Sequence, residues 1–206
     1  AVHKETVRLY RHASHIILKT IGLSSIQVFS EKNLDELFHE HDTLLRYDVD
    51  RAYKHHIKEI YSEIIAFISQ ASFTWEMEQS GKLYWLREAN RHTVEAIKDC
   101  KHLQHNLLLM NASDNVCIQE AYYTIRYQIA ELLRDLEVFR LEVDAENEEI
   151  SVLSFDMFKV KIKEQDKAMN EQIDKLIREH KITATAGTSL INDSAYMYAI
   201  KRHLVD

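Results

Sequence analysis

Four polar residues in one short run could share a ligand. In VEAIKDCKHLQHNL, residues 94 to 107, Glu95, Asp99, His102 and Asn106 follow one another at spacings of four, three and four. At 100° per residue they fall within an arc of about 60° on a helix, so they form one stripe. Glu88 and Arg91 extend it upstream. Carboxylate and imidazole on successive turns can hold a divalent metal, and two carboxylates repel unless a cation joins them. A solvated helix face explains the same spacing, with Lys101 and His105 supplying counter-charge.

Other constellations are poorer. His39 and His41 in HEH, and the adjacent His55 and His56, point to different helix sides. His102 and His105 stand at i,i+3 and can chelate, but twelve histidines produce such pairs by chance. Glu131 and Asp135 form a second i,i+4 carboxylate pair, with Arg134 and Arg140 near enough to salt-bridge them. A helical di-iron site needs paired E-x-x-H motifs, and only Glu36 with His39 matches. No glycine-rich elbow carries a serine nucleophile, and glycines at 22, 81 and 187 cannot build a phosphate loop. The chain is not expected to be an enzyme.

The elements that would position these residues are helices. The chain has no proline and three glycines in 206 residues, where average usage would give roughly ten prolines. Proline breaks helix interiors and populates turns, so long helices and few loops follow. Helical spacing runs from Val2 to Ile21 through Val7, Tyr10, Ala13, Ile17 and Leu18, with Gly22 as the C-terminal cap. Residues 23 to 47 are mixed, with Ser30 as N-cap of a short helix, EKNLDELFHEH. A long helix is expected from Asp48 to Ser69, burying Ala52, Ile57, Ile60, Ile64, Phe67 and Ile68. A third starts after Thr74 or after a break at Gly81 and runs to Met110. NASDN, 111 to 115, is a turn. Further helices span 116 to 143, 150 to 179 beyond an acidic hinge at 144 to 149, and 183 to 204 with Gly187 as a weak point. Five long helices and one shorter leading helix, apart from the short helix of the 23–47 connector, make an elongated all-α antiparallel bundle, since thirty helical residues span about 45 Å.

A formal charge of −7 without a basic block argues against nucleic acid as a partner. Cys100 and Cys117 fit no metal motif and read as reduced, buried thiols. No apolar run approaches the ~18 residues of a membrane span, and the amphipathic, mixed-charge opening AVHKETVRLYRHA is not expected to act as a signal peptide. The sequence opens inside a helical pattern, as a piece of something longer would. VEAIKDCKHL (94–103) can be laid over TSLINDSAYM (188–197), which pairs Ile97 with Ile191 and Asp99 with Asp193. Each copy is then the third long helix of its half. The halves are residues 1–111, including the 23–47 connector, and 112–206.

At these residues a resemblance enters. LREANRHTVEAIKDCKHLQHNL and YTIRYQIAELLRDLEVFR resemble helices of the PhoU-like domain that follows the membrane part of bacterial sodium/phosphate cotransporters. The tail IDKLIREHKITATAGTSLINDSAYMYAIKRHL, with LIRxxxIT and then TSLINDSAY, is the strongest match. The resemblance covers most of residues 48 to 206. It implies two three-helix units side by side. It also implies a non-enzymatic regulatory domain on the cytoplasmic face of the bacterial inner membrane, modulating phosphate uptake through protein contacts. Residues 1 to 22 would lead out of the membrane domain. The implied partners are a transmembrane transport domain upstream of Ala1, phosphate-signalling proteins, or a second copy of the chain. A free-standing PhoU-type adaptor and a metal-binding bundle are the alternatives. The family carries a repeated E-x-x-x-D pattern at which metal ions cluster. Glu95 and Asp99 match it, with His102 beside them. In the second half only Asp193 matches, because Ser189 stands at the glutamate position. A divalent or iron-type ion is therefore expected at Glu95 and Asp99 rather than at Asp193.

Overall fold

The computed structural model describes residues 2–40, 44–71, 77–145 and 148–206. These form nine helices and no strand. They are α1 (Val2–Thr20), α2 (Ser25–Val28), α3 (Leu34–Glu40), α4 (Val49–His56), α5 (Lys58–Ala71), α6 (Met77–Asn111), α7 (Val116–Ala145), α8 (Glu148–Arg178) and α9 (Ala184–Val205). The long helices appear where apolar periodicity and the lack of proline demand them. The boundaries are set by local hydrogen bonds.

Gly22 ends α1 as expected. At φ +86 it lets Leu23 N–H reach Leu18 O at 2.9 Å and its own N–H reach Lys19 O at 3.2 Å, a Schellman cap. The end of α8 repeats the device without glycine. His180 takes φ 54, and Lys181 N–H donates to Leu176 O at 3.0 Å. Ser30 is not an N-cap. Ser24 instead caps the short α2, in a capping box with Gln27, and Ser30 donates back to Gln27 O at 2.7 Å. The cap of α3 is Asn33, whose Oδ1 accepts from Asp35 N–H at 2.8 Å. His41 lies outside the described residues.

The helix expected from Asp48 to Ser69 is two. Asp48 caps α4 by accepting from Arg51 N–H at 2.9 Å, and α4 gives way to α5 at Ile57, φ −115. Buried positions run Ala52, Ile57, Ile60, Ile64, Ile68. The first step of five residues falls off the helical period, and the bend at Ile57 puts both stretches on one core. Phe67, expected inside, is 40% exposed. Gly81 does not break α6: it lies within the helix with open space at its Cβ position. Gly187 is no weak point either. A Cβ there would come within 2.5 Å of Ile177 Cδ1, so glycine lets α8 and α9 approach. Thr183 caps α9 through its hydroxyl to Ala186 N–H. Asn115 caps α7 by accepting from Cys117 N–H at 2.9 Å.

Packing centres on α6, which lies against α9 on one side and α1 on another, while α8 packs along α9. One core cluster joins Leu9, Ala13 and Ile16 of α1 to Ile57, Ile60 and Ile64 and to Val94 and Ile97 of α6. A larger one gathers Ile17 and Leu18 of α1, Cys100 and Leu103 of α6, Ile125 and Ile129 of α7, Ile173 of α8 and Met197 and Ile200 of α9. That cluster draws on both sides of residue 111. Burial of this apolar surface is the main term holding the helices together.

Candidate functional site

The polar stripe of α6 meets another helix. His92 Nδ1 lies 2.8 Å from His203 Nδ1, His102 stacks on Tyr196 with ring centroids 5.5 Å apart, and Asn106 Nδ2 donates to Asp193 Oδ1 at 3.2 Å. Numbers rise along α6 while their partners fall along α9, so the two helices are antiparallel and the stripe follows their seam.

The seam has two dissimilar ends. At the first, Lys98 Nζ donates to Glu95 Oε1 at 2.8 Å, and both side chains remain accessible. That hydrogen bond holds the Glu95 carboxyl below its usual range. Asp99 is pushed the other way, first by burial and then by the Glu95 charge. His203 Nε2 lies 3.6 Å from Asp99 Oδ2, too long for a hydrogen bond. Burial and the His92 charge both push the His203 imidazole down, towards neutral, so this contact is weak. The His92–His203 hydrogen bond needs one Nδ1 protonated as donor and the other bare as acceptor.

At the second end Asp193 is 1% exposed. Tyr122 OH of α7 donates to its Oδ2 at 2.5 Å and Asn106 to its Oδ1. Burial raises the Asp193 carboxyl, and these two hydrogen bonds oppose the rise. A buried carboxylate with both oxygens engaged locks three helices together.

The four residues singled out by sequence are thus divided. Glu95 and Asp99 share one end, Asp193 occupies the other, and exposed His102 stacks between them. Among the described residues no three His, Cys, Asp or Glu side chains are arranged to hold a metal ion. Glu95 is held by Lys98, and Asp193 has no free oxygen to offer, so the residues present do not fit a shared metal centre. Glu131 and Asp135 are bridged by a cation from elsewhere. Lys161 of α8 reaches them at 3.2 and 3.1 Å, whereas Arg134 Nε donates to Val28 O and Arg140 pairs with Glu137. Cys100 is buried and its thiol is pushed up to about 12 by burial. Cys117 is only half-buried.

Sequence reasoning passed over His92, His203, Tyr122, Arg126 and Lys201. The last two carried a signal, a cation at a core position of the helical period. Arg126 lies one turn from Tyr122 and Ile129. It is 2% exposed, donates to Ile21 O at 2.9 Å and sits over the Phe38 ring at 5.0 Å. Lys201 follows Met197 by four and is fully buried. Its ammonium donates to Gln128 and Gln165 at 2.6 and 2.8 Å. No signal marked His203, whose role depends on which helix faces α6.

Family models, curated proteins and solved structures give no match to this chain.

Proposed function

We propose that the chain is a PhoU-like, non-enzymatic control domain of a sodium-dependent phosphate transporter, acting through protein contacts. In this reading α1, α4–α5 and α6 make one three-helix unit and α7, α8 and α9 the other. What supports it is the α6–α9 seam. The two segments that carry the family's sequence pattern pack antiparallel on each other, and their aspartates, Asp99 and Asp193, both lie along that contact. No described helix is long and apolar enough to cross a membrane; in this reading the transport step belongs to another part of the system. Docking would then act by favouring one conformation of the transport domain, with a strength equal to the difference in contact energy between the two states.

The test is sodium-driven uptake of labelled phosphate into proteoliposomes. One set holds the polypeptide that carries this chain, and the other holds the same polypeptide without residues 1–206. Transport that persists in both with a changed rate or phosphate dependence is expected. Uptake identical in the two, or no sodium-driven uptake by either, would contradict the proposal.

A further inference from the structure

Away from the seam, the first half of α1 and the neighbouring parts of α7, α8 and α9 enclose a groove of about 870 Å³. Sites for small organic ligands run to roughly 300–1,000 Å³. The floor is apolar: Leu136 and Phe139 of α7, Phe155 of α8, Leu204 of α9 and Val7 of α1. Phe139 and Phe155 meet edge to face with centroids 4.9 Å apart, so this floor is packed in place rather than loose.

The rim is cationic. Lys4, Arg8 and Arg11 stand on successive turns of α1, and Arg140 of α7 completes the row. Among the described residues no acidic side chain lines the groove, although the chain has 33 acidic residues against 26 basic. Glu5 holds Arg8 at 3.3 Å and Glu137 holds Arg140 at 2.7 Å. Lys4 and Arg11 form no ion pair among the described residues, although Arg11 helps hold the Glu137 carboxyl below its usual range. His12 is pushed below its usual range by burial and by His56, Arg8 and His15, so the fixed cations set the sign of the rim.

We propose that this groove binds a free single-chain anionic amphiphile of the fatty acid class. The alkyl chain lies on the floor, where each buried methylene adds to affinity. Lys4 and Arg11 hold the carboxylate, and the rim selects the sign of the head group. This site goes beyond the proposed function and does not depend on it.

Calorimetric titration with laurate, kept below its micelle-forming concentration, tests it against dodecyltrimethylammonium and against neutral and anionic phospholipid vesicles. Saturable one-to-one binding of laurate, with none of the cationic amphiphile, is expected. Lys4 and Arg11 are exposed, so the double substitution Lys4→Glu, Arg11→Glu should keep the helical circular dichroism spectrum. It should weaken laurate binding by roughly tenfold or more. Val7→Trp, which fills the groove, should weaken it as well. Equal binding of both amphiphiles overturns the proposal, as does laurate affinity untouched by the charge reversal and by Val7→Trp. Binding to anionic vesicles with no uptake of free laurate also overturns it and makes the surface a membrane contact instead.

Discussion

Asp99 and Asp193 fall at matching positions when residues 94–103 are laid over 188–197, yet they meet different fates. Asp99 stays partly open, with Glu95 and His203 for neighbours. Asp193 is sealed from water and hydrogen-bonded by Tyr122 and Asn106. The paired isoleucines diverge in the opposite sense: Ile97 is 1% exposed and Ile191 is 42% exposed. Matching positions on α6 and α9 therefore face different surroundings. The helix each residue faces decides whether its charge is solvated, paired or trapped.

The comparison can be broken by removing each carboxylate in turn. Asp193→Ala leaves Tyr122 and Asn106 without their buried acceptor, and urea unfolding should show a loss of about 3–4 kcal/mol. Asp99→Ala, at the open end, should change stability by less than about 1 kcal/mol. Equal losses would erase the distinction.

The face of α9 that packs on α7 and α8 supplies another trapped charge. Burial pushes the Lys201 ammonium down to about 8, from an ordinary 10.5. Between those values the unfolded chain binds more protons, so stability rises with pH across the window, by about 2–3 kcal/mol. Chemical denaturation from pH 7.5 to 10.5 should show this rise in the parent and not in Lys201→Met. A rise of the same size in the variant would assign it to other groups.

A smaller effect belongs to His203. Its imidazole is held below 6.5 in the fold, chiefly by burial and then by His92. Below that pH the unfolded chain takes up the proton more readily, so stability falls as pH drops. His203→Gln should flatten that fall by under about 1 kcal/mol in thermal melts between pH 7 and 5. An unchanged slope would detach His203 from the acid response.

Helix content was readable from the sequence because local propensity and tertiary packing agree along α1, α6, α7, α8 and α9. The N-terminal half of the chain was harder. Asn33 and Ser30 are both acceptable caps, and only the buried contacts of Leu34, Leu37 and Phe38 choose between them. The bend at Ile57 leaves the helical pattern almost intact on paper. The stripe of Glu95, Asp99, His102 and Asn106 was legible as a stripe. Its partner was not, because Tyr196 and His203 reach it only through the folding of α9 back along α6. The sealing of Asp193 likewise depends on Tyr122, 71 residues away.

The most direct test of two separate carboxylate environments is carbon-detected NMR titration of Asp99 and Asp193 in the parent and in Glu95→Gln. Both should titrate above the ordinary aspartate value. Removing the Glu95 charge should lower the Asp99 midpoint and leave Asp193 where it was. If the Asp193 midpoint moves together with that of Asp99, the two carboxylates form one electrostatic cluster, and the division of the seam into an open and a sealed end is wrong.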